Sequence, residues 1–336
     1  MSRARDLADS ADKDIVGTLT VDGLTVAGNV SVDGGTIKLD GNYPTGSNNV
    51  ALGDTALDDG SLSGGNNVAI GNAALTANTS GSEGTAVGQG ALSANTTGTQ
   101  NTAVGRKALE VNSTGAGNTA VGQRALDANT TANYNTAVGQ AALGTNTTGA
   151  LNTAIGQNAM TANSTGQENV AVGRAALQNN TTANANTAVG YAAMDANTTG
   201  TNNVAVGYAA ADAQTTASNT TAIGYQALSA NTGDNNTAVG KDALLSHTSG
   251  AYNVAVGSQA LDANTTASNN TAVGYAALGA NTTGTYNVAV GRSALAANTT
   301  ASGNNALGGN ALLNTTTGTS NNAIGYAALQ ANTTGQ

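Results

Sequence analysis

The side chains that most often carry catalysis or bind metals are scarce in this sequence. Its 336 residues include one histidine, His247, and no cysteine. Without cysteine, neither a disulfide nor a thiolate metal site can form. His247 stands where most copies of a repeated segment carry asparagine, and no Ser-His-Asp set, carboxylate pair, phosphate loop or calcium-binding repeat accompanies it. The sequence therefore predicts no catalytic residue, no metal site, no cofactor and no enzymatic activity.

Two sets of side chains remain as candidates for contact with other molecules. Exposed tyrosine suits contact with carbohydrate or protein, although packing at a surface or between chains is the alternative role. Charged residues near the N-terminus form the second set, in a segment that either is solvated or orders when it docks into a larger assembly. The tyrosines follow a recurring glycine and are Tyr191, Tyr208, Tyr225, Tyr275 and Tyr326; the docking candidates are Arg3, Arg5, Asp6 and Lys13.

Charge and hydropathy exclude two classes of partner. The formal net charge is −9 and no basic stripe is present, so we expect no nucleic-acid binding. No run of about 18 apolar residues occurs, so we expect no insertion into a membrane. The charged N-terminus lacks the apolar segment of a secretory signal, so export by a signal peptide is not expected.

These candidates are positioned by a short repeat that fills most of the chain. A tetrad ending in glycine, of the form T/V-A-V-G, recurs in seventeen copies from about residue 48 to the end, and fourteen of the sixteen gaps are 17 residues. A fixed short period is the signature of a solenoid, in which each copy forms one coil. The tetrad glycines are Gly53, Gly71, Gly88, Gly105, Gly122, Gly139, Gly156, Gly173, Gly190, Gly207, Gly224, Gly240, Gly257, Gly274, Gly291, Gly308 and Gly325.

Each coil is predicted to contain one short strand. Branched residues stand three and one places before the glycine, and alanine always stands between them. In a strand the branched residues share one face, which leaves the alanine face nearly bare. That face would allow close approach, either by the far side of the same coil or by a neighbouring chain. After the glycine, residues such as those of RKALEVN favour a short helical turn, with a second strand as the alternative. An Asn-Thr-Thr-Gly turn ends the coil.

Asparagine recurs in two columns of the repeat. Identical stacked asparagines can form a hydrogen-bonded ladder that satisfies backbone groups at the corners. The N-T-T triplets, for example at Asn95 and Asn129, also match the glycosylation acceptor pattern. Their regular spacing favours the ladder.

The supply of large apolar side chains is thin for a chain that folds alone. Aromatic residues make up 3% of the sequence, and each coil offers about one branched residue and one Leu or Met. Association of identical chains along the bare alanine faces would bury more surface, so we expect an oligomer, and for a fibre a homotrimer is the natural form. The predicted fold is therefore an all-β parallel β-solenoid or β-roll of about 17 coils over residues 48–336. Residues 1–14 form a docking segment, and 15–47 a connector of short strands.

Two segments resemble known families. The copies NNVAIGNAAL (66–75) and ENVAVGRAAL (168–177) resemble the head repeats of trimeric autotransporter (YadA-like) adhesins, although the period is longer here. This resemblance implies a trimeric, left-handed β-roll that adheres to host surfaces. No signal peptide, coiled-coil stalk or membrane anchor of that family is recognised.

The segment SRARDLADSADKDIVGTLTVDGLTVAGN resembles the N-termini of tail fibres from tailed phages. That resemblance implies a trimeric fibre, assembled in the host cytoplasm and docked by its N-terminus to a tail or adaptor protein of the virion. The distal, C-terminal end would meet a host receptor or a further fibre protein. The alternatives are a fragment of a bacterial surface adhesin, located extracellularly, and an ice-binding solenoid that uses the threonines of N-T-T.

Overall fold

The computed structural model describes residues 46–335. The predicted docking segment, with Arg3, Arg5, Asp6 and Lys13, and nearly all of the predicted connector lie outside the described residues. The fold described below is therefore that of the repeat region.

Every coil contributes one strand of three residues, and the strand always ends directly before the tetrad glycine. The strands are β1 (Val50–Leu52), β2 (Val68–Ile70), β3 (Thr85–Val87), β4 (Thr102–Val104), β5 (Thr119–Val121), β6 (Thr136–Val138), β7 (Thr153–Ile155), β8 (Val170–Val172), β9 (Thr187–Val189), β10 (Val204–Val206), β11 (Thr221–Ile223), β12 (Thr237–Val239), β13 (Val254–Val256), β14 (Thr271–Val273), β15 (Val288–Val290), β16 (Asn305–Leu307) and β17 (Asn322–Ile324). Within residues 46–335 no helix is present, and so none that is long and apolar enough to cross a membrane.

Consecutive strands pair in parallel and form a single sheet of 17 strands. The register places identical repeat positions side by side, as in Thr102 beside Thr119 and Ala103 beside Ala120. At about 4.8 Å between neighbouring strands, the sheet runs for about 80 Å. The prediction of a parallel β-solenoid with a 17-residue coil is confirmed.

The alanine face of the sheet lies inside the solenoid. The central alanine is buried in every strand from β2 to β17. Within one coil, Ala103 shares the core with Ala108 and Leu109 from the opposite wall, and all three are fully buried. Of the two expected uses of this face, close approach by the same coil is the one observed. Because the alanines are covered within one chain, the expectation that chains associate along them is wrong.

The segment after the glycine is neither of the two elements that its sequence favours. It forms two successive turns, closed by hydrogen bonds from the Ala108 amide to the Gly105 carbonyl (3.3 Å) and from the Asn112 amide to the Leu109 carbonyl (3.3 Å). Lys107 and Leu109 lie in the left-handed region, with φ of 61° and 51°. The predictions of a helical turn and of a second strand are therefore both wrong.

Hydrogen bonding between coils explains this backbone. The Lys107 amide donates to the Gln89 carbonyl of the preceding coil (2.9 Å), whereas the Leu109 amide donates to the Ala125 carbonyl of the following coil (3.0 Å). The two left-handed residues thus aim their amides in opposite directions along the stack, whereas the Ala108 amide between them closes the turn within the coil. In an α-helix those amides would bond within the segment and leave the neighbouring coils unpaired.

Two buried asparagine ladders close the corners, as predicted. The first ladder, the N-T-T ladder, occupies the seventh position after the tetrad glycine, which is asparagine in thirteen of the seventeen coils. Asn112 Nδ2 donates to Asn95 Oδ1 of the preceding coil (2.9 Å) and to the Gly115 carbonyl of its own corner (3.0 Å). The second ladder lies four residues before the glycine, where Asn118 Nδ2 donates to the Ala132 carbonyl (2.8 Å). Asn95 and Asn129 are 2% and 0% exposed, which leaves no room for a glycan at these side chains.

The N-T-T ladder is interrupted at Thr315. Asn298 Oδ1 is buried without a hydrogen-bond donor, because Thr315, the next member of the column, sends its hydroxyl to the Asn332 carbonyl instead (3.0 Å). We expect Thr315→Asn to restore the missing donor and raise the free energy of unfolding by about 1 kcal/mol, measured by denaturant titration. Thr317→Asn is the control at an exposed position of the same corner and should change nothing. Equal effects of the two substitutions would contradict the ladder's contribution.

Candidate functional site

The outer surface is organised in columns, because each repeat position stacks on the same position of the next coil. The residue before each tetrad glycine points outward, and in all seventeen coils it is Val, Ile or Leu. We call this set the aliphatic column. Eight of its members are exposed, for example by 36% at Ile70, 40% at Ile155 and 50% at Leu307, and the other nine are half-buried. Its members are Leu52, Ile70, Val87, Val104, Val121, Val138, Ile155, Val172, Val189, Val206, Ile223, Val239, Val256, Val273, Val290, Leu307 and Ile324.

A second outward column lies on the same face of the sheet, three residues before the glycine. It carries threonine in nine coils, valine in six and asparagine in the last two. The first threonine of each N-T-T triplet, in contrast, is engaged at a corner, since Thr96 Oγ1 donates to the Ser113 carbonyl of the next coil (3.0 Å). The flat threonine surface is therefore on the strands, not at the N-T-T corners.

All five candidate tyrosines lie in the column that directly follows the tetrad glycines, which we call the post-glycine column. Tyr191, Tyr208 and Tyr225 occupy consecutive coils and stack, with ring centroids 5.2 and 5.4 Å apart and planes within 11°. Their exposed fractions are 44–51%. Tyr275 and Tyr326 stand in the same column without an adjacent tyrosine and are also exposed.

Two cations cover the ends of this tyrosine stack, and sequence reasoning missed both. The Arg174 guanidinium lies 5.5 Å from the centre of the Tyr191 ring, and Lys241 Nζ lies 6.0 Å from that of Tyr225. Such contacts are favourable because the face of an aromatic ring is electron-rich. Their position in the repeat could have indicated these contacts, because Arg174 and Lys241 directly follow a tetrad glycine, as the tyrosines do.

Six of the twelve carboxylates within residues 46–335 stand in a different column, the fifth residue after the glycine, which we call the acidic column. Partial burial raises the pKa of Asp127, Asp195 and Asp262, and the neighbouring Asp212 adds to the effect at Asp195. Within residues 46–335 no three acidic or histidine side chains gather as a possible metal site. The members of the acidic column are Asp58, Glu110, Asp127, Asp195, Asp212 and Asp262.

His247 is a fully buried member of the N-T-T ladder. Its Nε2 lies 2.8 Å from the Gly250 carbonyl, and its Nδ1 lies 2.8 Å from Asn264 Nδ2. The carbonyl requires a donor and the amide nitrogen requires an acceptor, which assigns the neutral ring with its proton on Nε2. His247 is thus a ladder residue whose two ring nitrogens are both occupied.

The histidine makes the stability of the solenoid depend on pH. Burial lowers the pKa of His247, and the hydrogen bond to Gly250 only partly offsets this effect. A histidine with a lowered pKa in the folded state stabilises fully above its unfolded pKa of about 6.5 and progressively less as pH falls below it. We expect the melting temperature to fall between pH 7.5 and 5 more steeply for the native chain than for His247→Asn. The aspartates with raised pKa values stabilise the fold as pH falls, but they are present in both chains, so their effect cancels in the comparison. Parallel curves of melting temperature against pH would contradict the role of His247.

Neither a protein-family model nor a curated protein matches the chain. The chemistry must therefore be read from the columns themselves. Aliphatic, aromatic and cationic side chains stand on the outside in long, regular rows. Such rows suit contact with other extended molecules.

Proposed function

We propose that this protein is a structural and adhesive fibre, specifically a homotrimeric phage tail fibre whose solenoid forms the shaft. The observation that carries the proposal is the aliphatic column. Because one aliphatic side chain stands in the same place on every coil, the exposed apolar surface runs the full length of the sheet, about 80 Å. Extended exposed apolar surface on a soluble protein marks a contact site.

Association along the aliphatic column replaces the alanine-face contact that the sequence suggested. Chains related by rotation about an axis parallel to the solenoid would bring their aliphatic columns together at every level, and such a ring closes. Burial of this surface would contribute roughly 25 cal/mol per Å² of apolar area. The number three comes from the resemblance to trimeric adhesin heads and tail fibres.

The remaining parts of the proposal rest on the resemblance of the N-terminal segment. Residues 1–14 would dock to a tail or adaptor protein of the virion, after assembly in the host cytoplasm. The shaft would present its outer columns, or a distal partner, to the surface of the host cell. In this role the protein has no enzymatic activity.

One observation favours a second function, ice binding. Nine strands carry an outward threonine on the flat face of the sheet, a better placement for this role than the N-T-T corners offered. Thermal hysteresis of the purified chain would support ice binding, and its absence would exclude it. The neighbouring aliphatic column accounts for the same face through assembly, so the fibre remains our proposal.

The proposal predicts that charge in the aliphatic column prevents assembly. We expect sedimentation equilibrium of the native protein to give three times the chain mass of 32.4 kDa, and electron microscopy to show a rod. Val121→Lys combined with Val138→Lys places two buried like charges at the proposed contact and should yield monomers. Thr131→Lys with Thr148→Lys is the matched control, since it alters exposed corner residues of the same two coils. A monomeric native chain would overturn the trimer, as would a trimer that is unchanged by the valine substitutions.

A further inference from the structure

We propose that the post-glycine column is a binding strip for a linear acidic polysaccharide in which carboxylated sugars are separated by neutral ones. This inference rests on the proposed adhesive function and names the class of surface molecule that the shaft would recognise. It goes beyond the tyrosines, because the argument depends on the whole column and on its cations.

From Arg106 to Arg292 the strip repeats a pattern of one cation followed by neutral hydrogen-bonding side chains, whereas the three coils before Arg106 carry Asp54, Asn72 and Gln89 in this column. Arg106 is followed by three coils with glutamine, Arg174 by three with tyrosine, and Lys241 by one with serine and one with tyrosine before Arg292. All of these side chains are exposed except the half-buried serine. The column therefore offers cations at regular intervals with amide or hydroxyl groups between them.

Positive charge is confined to this side of an otherwise acidic molecule. All six Lys and Arg residues of the repeat region are the first or second residue after a tetrad glycine. The two at the second position are tied to acids, Lys107 to Glu110 (2.8 Å) and Arg124 to Asp127 (3.9 Å). Among the described residues, only Lys241 of the four strip cations forms an ion pair, with Asp242 (2.8 Å). Arginines without a carboxylate partner remain available to an anion from outside.

The spacing of the cations fits sparse negative charge. They stand four, four and three coils apart, which corresponds to about 19, 19 and 14 Å at about 4.8 Å per coil. A nucleic acid carries a phosphate about every 3.4 Å of each strand and would leave most of its charges unmatched. A polysaccharide with separated carboxylates presents hydroxyl groups in the intervals, where the strip has amides and phenols.

The geometry of the tyrosine stack leads to the same class of ligand. The faces of Tyr208 are covered by Tyr191 and Tyr225, and those two rings are covered in turn by Arg174 and Lys241. No ring face of these three tyrosines is therefore free for a nucleobase to stack on, which is the usual way in which tyrosine binds single strands. The exposed parts are ring edges and phenol hydroxyls, which can exchange hydrogen bonds with sugar hydroxyls.

The experiment measures binding of soluble polysaccharides to the full chain by biolayer interferometry. The probes are gellan, whose glucuronates are separated by neutral sugars, polygalacturonate, in which every sugar is charged, neutral dextran, and oligo(dT). We expect gellan to bind and dextran not to bind. Arg106→Gln combined with Arg174→Gln removes two strip arginines that have no carboxylate partner and should weaken the Kd for gellan about tenfold, and Tyr208→Ala should also weaken it.

Two controls match these variants. Lys107→Gln with Arg124→Gln removes the same charge from outside the strip, and Tyr252→Ala removes an exposed tyrosine from another column. Tyr252 is 62% exposed and Tyr208 is 51% exposed, so the two tyrosines are similarly but not identically accessible. Both control variants should bind gellan as the native chain does. Absence of gellan binding, an unchanged Kd for the Arg106/Arg174 variant, or tighter binding of polygalacturonate, dextran or oligo(dT) would overturn the strip.

The mass of each sample, measured in parallel, separates this proposal from the fibre. A monomer that binds gellan contradicts the trimeric shaft alone, whereas a trimer that does not bind contradicts the strip alone.

Discussion

Substituting alanine at a single tetrad glycine should lower the free energy of unfolding by about 3 kcal/mol or more. Gly139 has a φ of 137°, a backbone conformation that L side chains rarely adopt. A Cβ atom at this residue would lie 2.5 Å from the carbonyl oxygen of Gly156 and 2.6 Å from its carbonyl carbon. Both obstacles are backbone atoms of the next coil, which is itself hydrogen-bonded to its neighbours, so neither can move aside locally.

A second glycine of the same coil provides the control. Gly144 lies outside the left-handed region, and a Cβ there meets the Ala141 carbonyl oxygen at 3.3 Å. Since other coils carry serine, threonine or aspartate in this position, Gly144→Ala should leave stability unchanged or raise it by about 0.5 kcal/mol. Denaturant titration of Gly139→Ala and Gly144→Ala measures the difference. If the two variants unfold alike, the close approach of consecutive glycines does not determine the spacing of the coils.

The glycine column also shows why so much of the fold was readable from the sequence. A residue that recurs seventeen times at a nearly constant period, always after an alanine and an aliphatic residue, specifies the coil length, the strand and the end of the strand together. The asparagine columns were predictable for the same reason. A buried amide in one coil needs the same amide in the next, which makes the ladder visible as a repeat.

The predictions that failed depend on relations between coils that local propensity does not describe. RKALE is a favourable helical sequence, but Leu109 adopts a φ of 51° because its amide pairs with the next coil. What covers the alanine face of the sheet was also undetermined, since small residues permit close approach either by the far side of the same coil or by another chain. The burial of Ala103 beside Leu109 decides between them.

The binding strip was only partly accessible to sequence reasoning. Tyr191, Tyr208 and Tyr225 could be singled out because they follow the tetrad glycine, and the register of the strands then places them in one column. Their stacking, and the positions of Arg174 and Lys241 over the outer rings, depend on side-chain conformations that the repeat does not specify. The separation of the cations, in the post-glycine column, from the carboxylates of the acidic column becomes apparent only when every coil is aligned.

Asn180→Ala should lower the free energy of unfolding by about 3 kcal/mol, whereas Asn179→Ala, one residue earlier, should have almost no effect. Asn180 is fully buried in the N-T-T ladder. Its Nδ2 donates to Asn163 Oδ1 (2.8 Å) and to the Ala183 carbonyl (3.2 Å), and its Oδ1 accepts from Asn197 Nδ2 (3.1 Å). Truncation removes all three bonds and leaves Asn163 Oδ1 buried without a donor, and each unsatisfied buried group costs about 1–3 kcal/mol.

Asn179 is exposed and its amide lies 3.5 Å from Asp195 Oδ1, at the limit of hydrogen bonding. The pair therefore has the same residue type and nearly the same place in the chain but opposite burial, so helix, strand or turn propensity cannot account for a difference between the two variants. Denaturant titration of both tests whether amide ladders, in a core with little beyond alanine and leucine to bury, hold one coil to the next. Comparable losses of stability at the two positions would contradict this role of the amide ladders and leave the backbone hydrogen bonds to hold the coils together.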